Sequence, residues 1–244
     1  MLVGGSVVLL PIAGGLGDWG EMSARSYGLS ALSGAIYLIG SIGLYKAFGI
    51  GPVRLVAPIV GAYPILSIGW AAMMGQPVTV AQWLAVGTVI VGVAIVGVLS
   101  DQSENNVSQR AAILWAMVGA SGFALAFSIG HIATQLGNEL PVVLVTRLTA
   151  AGGVLILLFA AGGARLPERS AWPLLGLMGI LDASALGIVI ASGGLERPEF
   201  AAVAASTFGV ITIILAWAFL KERMSIGQWA GVAISFAGIG YLAF

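Results

Sequence analysis

One segment of the sequence occurs twice, and this repeat restricts the possible folds more than any other feature. Gln82 and Trp83 recur 146 positions later as Gln228 and Trp229, and the same offset aligns the surrounding residues without a gap. The two copies are residues 52–98 and 198–244. Each consists of an apolar segment, a short turn and a second apolar segment. An internal repeat of this length indicates a structural unit that is used twice.

The apolar segments predict a protein embedded in a lipid bilayer. Of the 244 residues, 59% are hydrophobic and only 8% are charged, whereas a soluble domain carries about 25% charged residues. The apolar runs do not alternate with polar residues as the strands of a membrane barrel do, so we expect an all-α integral membrane protein. Lys and Arg balance Asp and Glu, ten against ten, which gives no electrostatic reason to expect a nucleic-acid partner.

Nine apolar segments are separated by charged residues or by Gly and Pro. About 20 apolar residues cross a bilayer, and eight of the segments have that length while the first is short. The predicted spans are residues 2–16, 29–48, 53–74, 80–99, 111–132, 140–161, 172–192, 200–220 and 226–244. The polar stretch 100–110 is predicted to be a linker between a first repeat, residues 1–99, and a second repeat, residues 111–244.

The order of the spans predicts an inverted repeat. Span 53–74 is matched by span 200–220, five spans later, and an odd number places the second copy upside down in the membrane. Inverted repeats are the plan of many secondary transporters. The expected fold is therefore an inverted repeat of five-helix units on a ten-helix plan. The same offset aligns residue 1 with Arg147, inside span 140–161, and leaves span 111–132 without a partner, so the sequence is expected to lack its first helix. A true nine-helix protein is the alternative.

Both copies resemble the EamA-type module of the drug/metabolite transporter superfamily. The resemblance is carried by APIVGAYPILSIGWAAMMGQPVTVAQWLAVG in the first copy and ASTFGVITIILAWAFLKERMSIGQWAGV in the second. It implies two inverted five-helix repeats, a substrate cavity between the halves, and a small metabolite or drug-like solute as substrate. The sequence departs from the family at Gln76, where Glu is usual, whereas Glu222 in the second copy keeps that residue. The turn at Lys221-Glu222-Arg223 is expected to be solvated and ion-paired.

Asp182 is the strongest candidate for a functional residue. It lies ten residues into span 172–192, about 15 Å deep at 1.5 Å per residue, near the bilayer midplane. A carboxylate at this depth is costly unless it is paired, protonated or facing water. The interpretation is a proton-coupling group or a contact for a cationic solute, and the alternative is an acid that is hydrogen-bonded for packing alone.

Two further titratable or charged residues lie inside the spans. Arg147 is seven residues past Leu140, roughly 10 Å deep, which is close enough to the interface for its side chain to snorkel. It would hold an anionic solute, pair with Asp182, or serve as an anchor. His131, the single histidine, would take part in a proton path or be a polar residue at the interface. With one His and no Cys, neither a metal site nor a cofactor is expected.

Polar and aromatic side chains on the predicted central helices are candidates for lining a cavity. They are Tyr37, Tyr63, Ser206 and Trp217. For Trp217 the alternative is an interface or packing role, because Trp is common at membrane boundaries.

Loop charges and the family resemblance predict opposite orientations in the membrane. Seven Lys and Arg residues lie in the loops of one side and two in those of the other, and the positive-inside rule places the first side in the cytoplasm. The resemblance implies the reverse. In either orientation the predicted function is a secondary transporter, an exporter or exchanger with proton coupling as one option, in the cell membrane. A non-transporting assembly subunit and an integral-membrane lipid enzyme are the alternatives.

Overall fold

The computed structural model describes residues 2–73, 78–99, 106–160, 162, 168–191, 208–222 and 224–241. Within these ranges the chain forms α-helices and two short 3₁₀ turns, with no β-strand. The helices are α1 (Leu2–Leu16), α2 (Ala24–Ile50), α3 (Val53–Gly61), α4 (Tyr63–Met73), α5 (Val80–Val98), α6 (Asn106–Thr134), α7 (Glu139–Ala160), α8 (Trp172–Ala191), α9 (Phe208–Phe219) and α10 (Ile226–Tyr241). The 3₁₀ turns are Trp19–Glu21 and Arg169–Ala171.

Four helical segments of the described chain are long and apolar enough to cross a membrane. They are Ala24–Ile50, Gln109–Thr134, Glu139–Ala160 and Arg169–Ile190. Leu2–Leu16 and Val80–Val96 are apolar but shorter. Large apolar side chains remain exposed on these helices, for example Ile156 at 70% and Ile188 at 67%, as expected for surfaces that face lipid. The prediction of an all-α membrane protein is confirmed.

Two predicted boundaries differ from the structure. The single span predicted at residues 53–74 is divided into α3 and α4, which meet at Ala62. Pro64 has no backbone N–H to donate back to Val60, so the regular helical bonding is interrupted at this point. The predicted linker 100–110 also reaches into α6, because this helix already begins at Asn106.

The helices α5 and α10 begin 146 residues apart, at Val80 and Ile226, and have the same N-terminal cap. Thr79 N–H donates to the side-chain oxygen of Gln82 at 2.8 Å, and Gln82 N–H donates to the Thr79 hydroxyl at 3.2 Å. Ser225 and Gln228 repeat both bonds at 2.8 and 3.2 Å. This arrangement is a capping box. The repeated glutamines therefore have a structural role at the starts of two equivalent helices.

The contact between α5 and α10 also uses equivalent residues of the two copies. A methyl group placed on Gly92 would lie 2.6 Å from Gly231 O, and one on Gly238 would lie 3.0 Å from Ala85 O. The offset relates Gly92 to Gly238 and Ala85 to Gly231, so the two contacts are equivalent. The pairing also makes the helices antiparallel. Small residues allow the two backbones to approach closely, as in other membrane helix pairs.

The chain divides into two compact units that do not coincide with the predicted repeats. Unit 1 comprises Met1–Leu38 and Leu125–Pro198, and unit 2 comprises Ile39–Ala124 and Glu199–Phe244. Each unit draws residues from both halves of the sequence, and α2 and α6 contribute to both. The division into a first and a second repeat stays a prediction.

Unit 2 has an apolar core and a carboxylate cap on α3. Its core includes Val56, Val60 and Ala116, all fully buried. Glu222, in the turn after α9, accepts hydrogen bonds from Val53 N–H at 2.9 Å and Arg54 N–H at 3.0 Å. These are the first amides of α3, where the helix dipole favours a negative charge. The Glu222 carboxylate therefore caps another helix, which the sequence did not predict. Lys221 is exposed, as a solvated turn requires, and Arg223 lies outside the described residues.

Candidate functional site

The candidate site lies in unit 1, where three helices bring Tyr37, Arg147 and Asp182 together. Arg147 Nη2 in α7 lies 2.6 Å from Asp182 Oδ2 in α8. Tyr37 in α2 donates its hydroxyl to Asp182 Oδ1 at 2.7 Å. Of the roles that the sequence left open for Arg147, the structure contains the ion pair with Asp182. The three helices that supply these residues all contain segments of membrane-spanning length.

The hydrogen bonding of Arg147 is incomplete. Its Nη2 donates to Gly179 O at 3.3 Å, and its contact with Asp182 Oδ2 is an ion pair without an aligned hydrogen bond. Nε and Nη1 are buried and have no acceptor among the residues that the structure describes. Buried polar groups are nearly always hydrogen-bonded, so unused donors on a buried guanidinium are a feature that requires explanation.

Two glycines let the helices approach closely enough to form this cluster. A methyl group on Gly34 in α2 would lie 2.8 Å from Thr149 Cβ and 3.0 Å from the carbonyl carbon of Thr146. One on Gly5 in α1 would lie 2.8 Å from Arg147 Nε. Because Thr146 precedes Arg147 and Gly34 lies one turn before Tyr37, the close approach of α2 and α7 sets the position of both side chains.

The two charged residues differ in exposure. The Arg147 side chain is 0% exposed, whereas that of Asp182 is 21% exposed. The prediction that Arg147 snorkels to the interface is wrong, since its guanidinium is covered by backbone of α1 and α8 and held by Asp182. A buried pair of opposite charges is tolerated only when both members are present. Of the two members, Asp182 is the one whose side chain has exposed surface.

Tyr37 completes the cluster and is itself fixed by packing. Its side chain is only 5% exposed, and its ring centroid lies 6.4 Å from that of Phe127 in α6. The sequence predicted Tyr37 as a cavity-lining residue, and the structure brings it to Asp182. Gly5 and Gly179 were not predicted as neighbours of Arg147, because no pattern in the sequence reveals a backbone contact between distant helices.

Of the other predicted site residues, His131 belongs to unit 1, and Tyr63 and Trp217 belong to unit 2. His131 in α6 is half-buried, and its Nε2 lies 2.8 Å from Val189 O in α8. Tyr63 is buried at the start of α4 in unit 2. Trp217 is 54% exposed and makes an edge-to-face contact with Trp229, with 6.4 Å between centroids. Ser206 lies outside the described residues.

A groove in unit 2 is a weaker candidate. It has a volume of about 370 Å³ and lies on α5 and α10. Its lining residues carry no charge: they are Ala81, Leu84, Ala85, Thr88, Ala237, Gly238 and Tyr241. In addition, the described residues contain no group of three or more His, Asp or Glu that could hold a metal ion. The cluster around Asp182 is the stronger candidate site, because it contains a carboxylate and a guanidinium whereas the groove contains no charged group.

Comparisons with known proteins agree with the helical membrane architecture. The family model described as "EamA-like transporter family" matches residues 110–244, more than half of the chain. No curated protein matches the chain. A solved structure described as "Crystal structure of protein" is similar, with 13% identity and a TM-score of 0.55. That match covers 98% of this chain and 92% of the other, and it supports the fold alone.

The family match covers more than half of the chain and agrees with its membrane-spanning helices and with the sequence resemblance described above. It therefore identifies the family. The chain belongs to the EamA-like transporter family and is a multi-pass membrane transporter of the drug/metabolite transporter superfamily.

Proposed function

We propose that this chain is a secondary transporter that moves a small metabolite or drug-like solute by alternating access, as an exporter or exchanger in the cell membrane. The observation that carries the proposal is the cluster of Tyr37, Asp182 and Arg147 on three helices with membrane-spanning segments. Ionisable residues inside a membrane are costly, and they typically mark solute or ion pathways. The proposal assigns this role to Asp182, the exposed member of the pair.

The repeated helix pair supports the proposed mechanism. The equivalent caps and contacts of α5 and α10 are what an inverted repeat produces, and inverted repeats underlie alternating access in many transporters. In this proposal the repeats form the scaffold, and the charged cluster provides solute recognition or coupling.

Asp182 provides a route to proton coupling. Its side chain is partly exposed, and its carboxylate has two partners, the Tyr37 hydroxyl and the Arg147 guanidinium. If the ion pair opens during the cycle, the carboxylate is free to take a proton from water. Asp182→Asn keeps the shape of the side chain but removes this capacity, and we expect it to abolish transport driven by a pH gradient.

The test is a flux assay on the purified full chain in liposomes that enclose a pH-sensitive dye. Metabolites are added one at a time, with and without an imposed pH gradient. We expect at least one solute to cause a proton movement that Asp182→Asn eliminates. Leu181→Ala is the matched control, because Leu181 is the neighbouring residue but is 61% exposed, and this variant is expected to transport normally.

Two outcomes would contradict the proposal. Uptake that remains pH-dependent and unchanged in Asp182→Asn would remove Asp182 from the coupling mechanism. No flux of any solute by a folded, reconstituted protein would favour a non-transporting assembly subunit, and conversion of an added lipid would favour an enzyme.

A further inference from the structure

We propose that Arg147 is an anion site, where the guanidinium exchanges Asp182 for a carboxylate or phosphate oxygen of the solute. This inference rests on the proposed transport function and specifies its solute class. It begins from the side chain of Arg147, which is fully buried yet leaves Nε and Nη1 without an acceptor in the described part of the chain. A guanidinium has five N–H donors arranged to bind oxyanions.

Asp182 does not satisfy these donors in the orientation that its carboxylate adopts beside Tyr37. The hydroxyl of Tyr37 donates to Oδ1 at 2.7 Å, and the 2.6 Å contact with Arg147 Nη2 is made by Oδ2, which has no aligned hydrogen bond. The two-bond fork that Arg and a carboxylate form in their strongest pairs is therefore not made. An oxyanion of a solute would supply the acceptors that Arg147 Nε and Nη1 lack.

Charge balance indicates what happens to Asp182 in this exchange. The resting pair has no net charge, and a low-dielectric site disfavours an unpaired ion. When the oxyanion replaces Asp182 at Arg147, the freed carboxylate takes one proton from the solvent, which its partly exposed side chain can reach. One singly charged anion and one proton are then bound together, and the site remains neutral. A phosphate satisfies this balance as its monoanion.

Binding of small probes to the purified full chain in detergent tests the inference without requiring flux. The probes share one ring and differ in charge: benzoate, phenyl phosphate, neutral benzamide and benzylammonium. The measurement is the shift in melting temperature as a function of probe concentration. We expect a saturable shift with benzoate, with phenyl phosphate or with both, and none with benzamide. The two anions distinguish a carboxylate site from a phosphate site.

Two variants separate an anion site from a structural ion pair. Asp182→Asn removes the internal competitor, so the anion should bind at least about tenfold more tightly, the effect of roughly one charged hydrogen bond. Tyr37→Phe frees Asp182 to engage Arg147 fully and should weaken anion binding. If Asp182→Asn does not fold, the Tyr37→Phe measurement still decides between the two.

Several outcomes would overturn the inference. Equal shifts with benzamide and benzoate, or anion affinity that neither variant changes, would make Arg147 a structural counter-ion. A shift with benzylammonium alone would make Asp182 a cation site. The binding assay does not measure transport. Anion binding by a protein that shows no flux in liposomes would therefore contradict only the proposed function. Flux of a neutral or cationic solute without anion binding would contradict only this inference.

Discussion

The hydroxyl of Tyr37 donates a hydrogen bond to Asp182 Oδ1, and the ion pair with Arg147 is made by the other oxygen, Oδ2. A tyrosine on one helix thus determines how tightly an acid and a base on two other helices are paired. The pair is close, at 2.6 Å, but is not locked by a second bond. Such an arrangement suits a site whose internal contacts have to open during a transport cycle.

Removing the Tyr37 hydroxyl is expected to impair transport with little effect on stability. In Tyr37→Phe, one hydrogen bond to a charged carboxylate, worth about 1.5–3 kcal/mol, is lost, but Asp182 is then free to turn both oxygens toward Arg147, and this new contact offsets most of the loss. We expect slower flux in liposomes and a free energy of unfolding within about 1 kcal/mol of wild type. Tyr27→Phe is the control, because Tyr27 lies on the same helix and is 38% exposed. Equal flux in the two variants would contradict this account.

Removing Arg147 alone is expected to destabilise the protein strongly. Arg147→Met leaves Asp182 without its counter-ion, and breaking a buried pair costs up to about 3–5 kcal/mol. The loss should fall at the low end, since 21% of the Asp182 side chain is exposed. The double variant Arg147→Met/Asp182→Asn should recover most of the loss. Unfolding in mixed micelles measures both, with exposed Arg25→Met as control. A double variant no more stable than Arg147→Met would argue against the ion pair.

Glu222 is expected to stabilise α3 from the far end of the sequence. Glu222→Ala removes the acceptor for two amides in the first turn of α3 and should cost about 0.5–2 kcal/mol, as loss of a helix cap does. Glu222→Gln keeps one acceptor oxygen and should lie between alanine and wild type. The adjacent Lys221→Gln is the control, since Lys221 is exposed. Thermal unfolding measures the stability of the three variants. Equal losses of stability in Lys221→Gln and Glu222→Ala would show that Glu222 does not cap α3.

The two equivalent glycines of the α5–α10 contact are expected to respond alike to substitution. Gly92→Ala and Gly238→Ala each place a methyl group against the facing helix, and overpacking of this kind costs about 1–3 kcal/mol. Gly87 in α5 has no atom within 4 Å of the added methyl group, so Gly87→Ala should be neutral or slightly stabilising. Unfolding measured for all three tests the contact. Loss of stability in Gly87→Ala equal to that in the other two would mean that helix packing is not the cause.

Features set by local sequence were predictable, and features set by contacts between helices were not. The apolar segments predicted the helices, and the position of Asp182 inside its span singled out the acid that the structure pairs with Arg147. Thr79 and Gln82 match the capping-box pattern, as do Ser225 and Gln228, so these caps could also have been read from the sequence. The burial of Arg147 could not be predicted, because it depends on where backbone of α1 and α8 covers the guanidinium. The capping of α3 by Glu222 likewise joins residues 169 positions apart.

The side chain of Gln228 bears on how the helix pair opens. Besides its part in the cap of α10, it donates its amide to Leu99 O at 3.1 Å, which ties the start of α10 to the end of α5. These two helix ends should therefore open together, and their backbone amides should exchange with deuterium at similar rates.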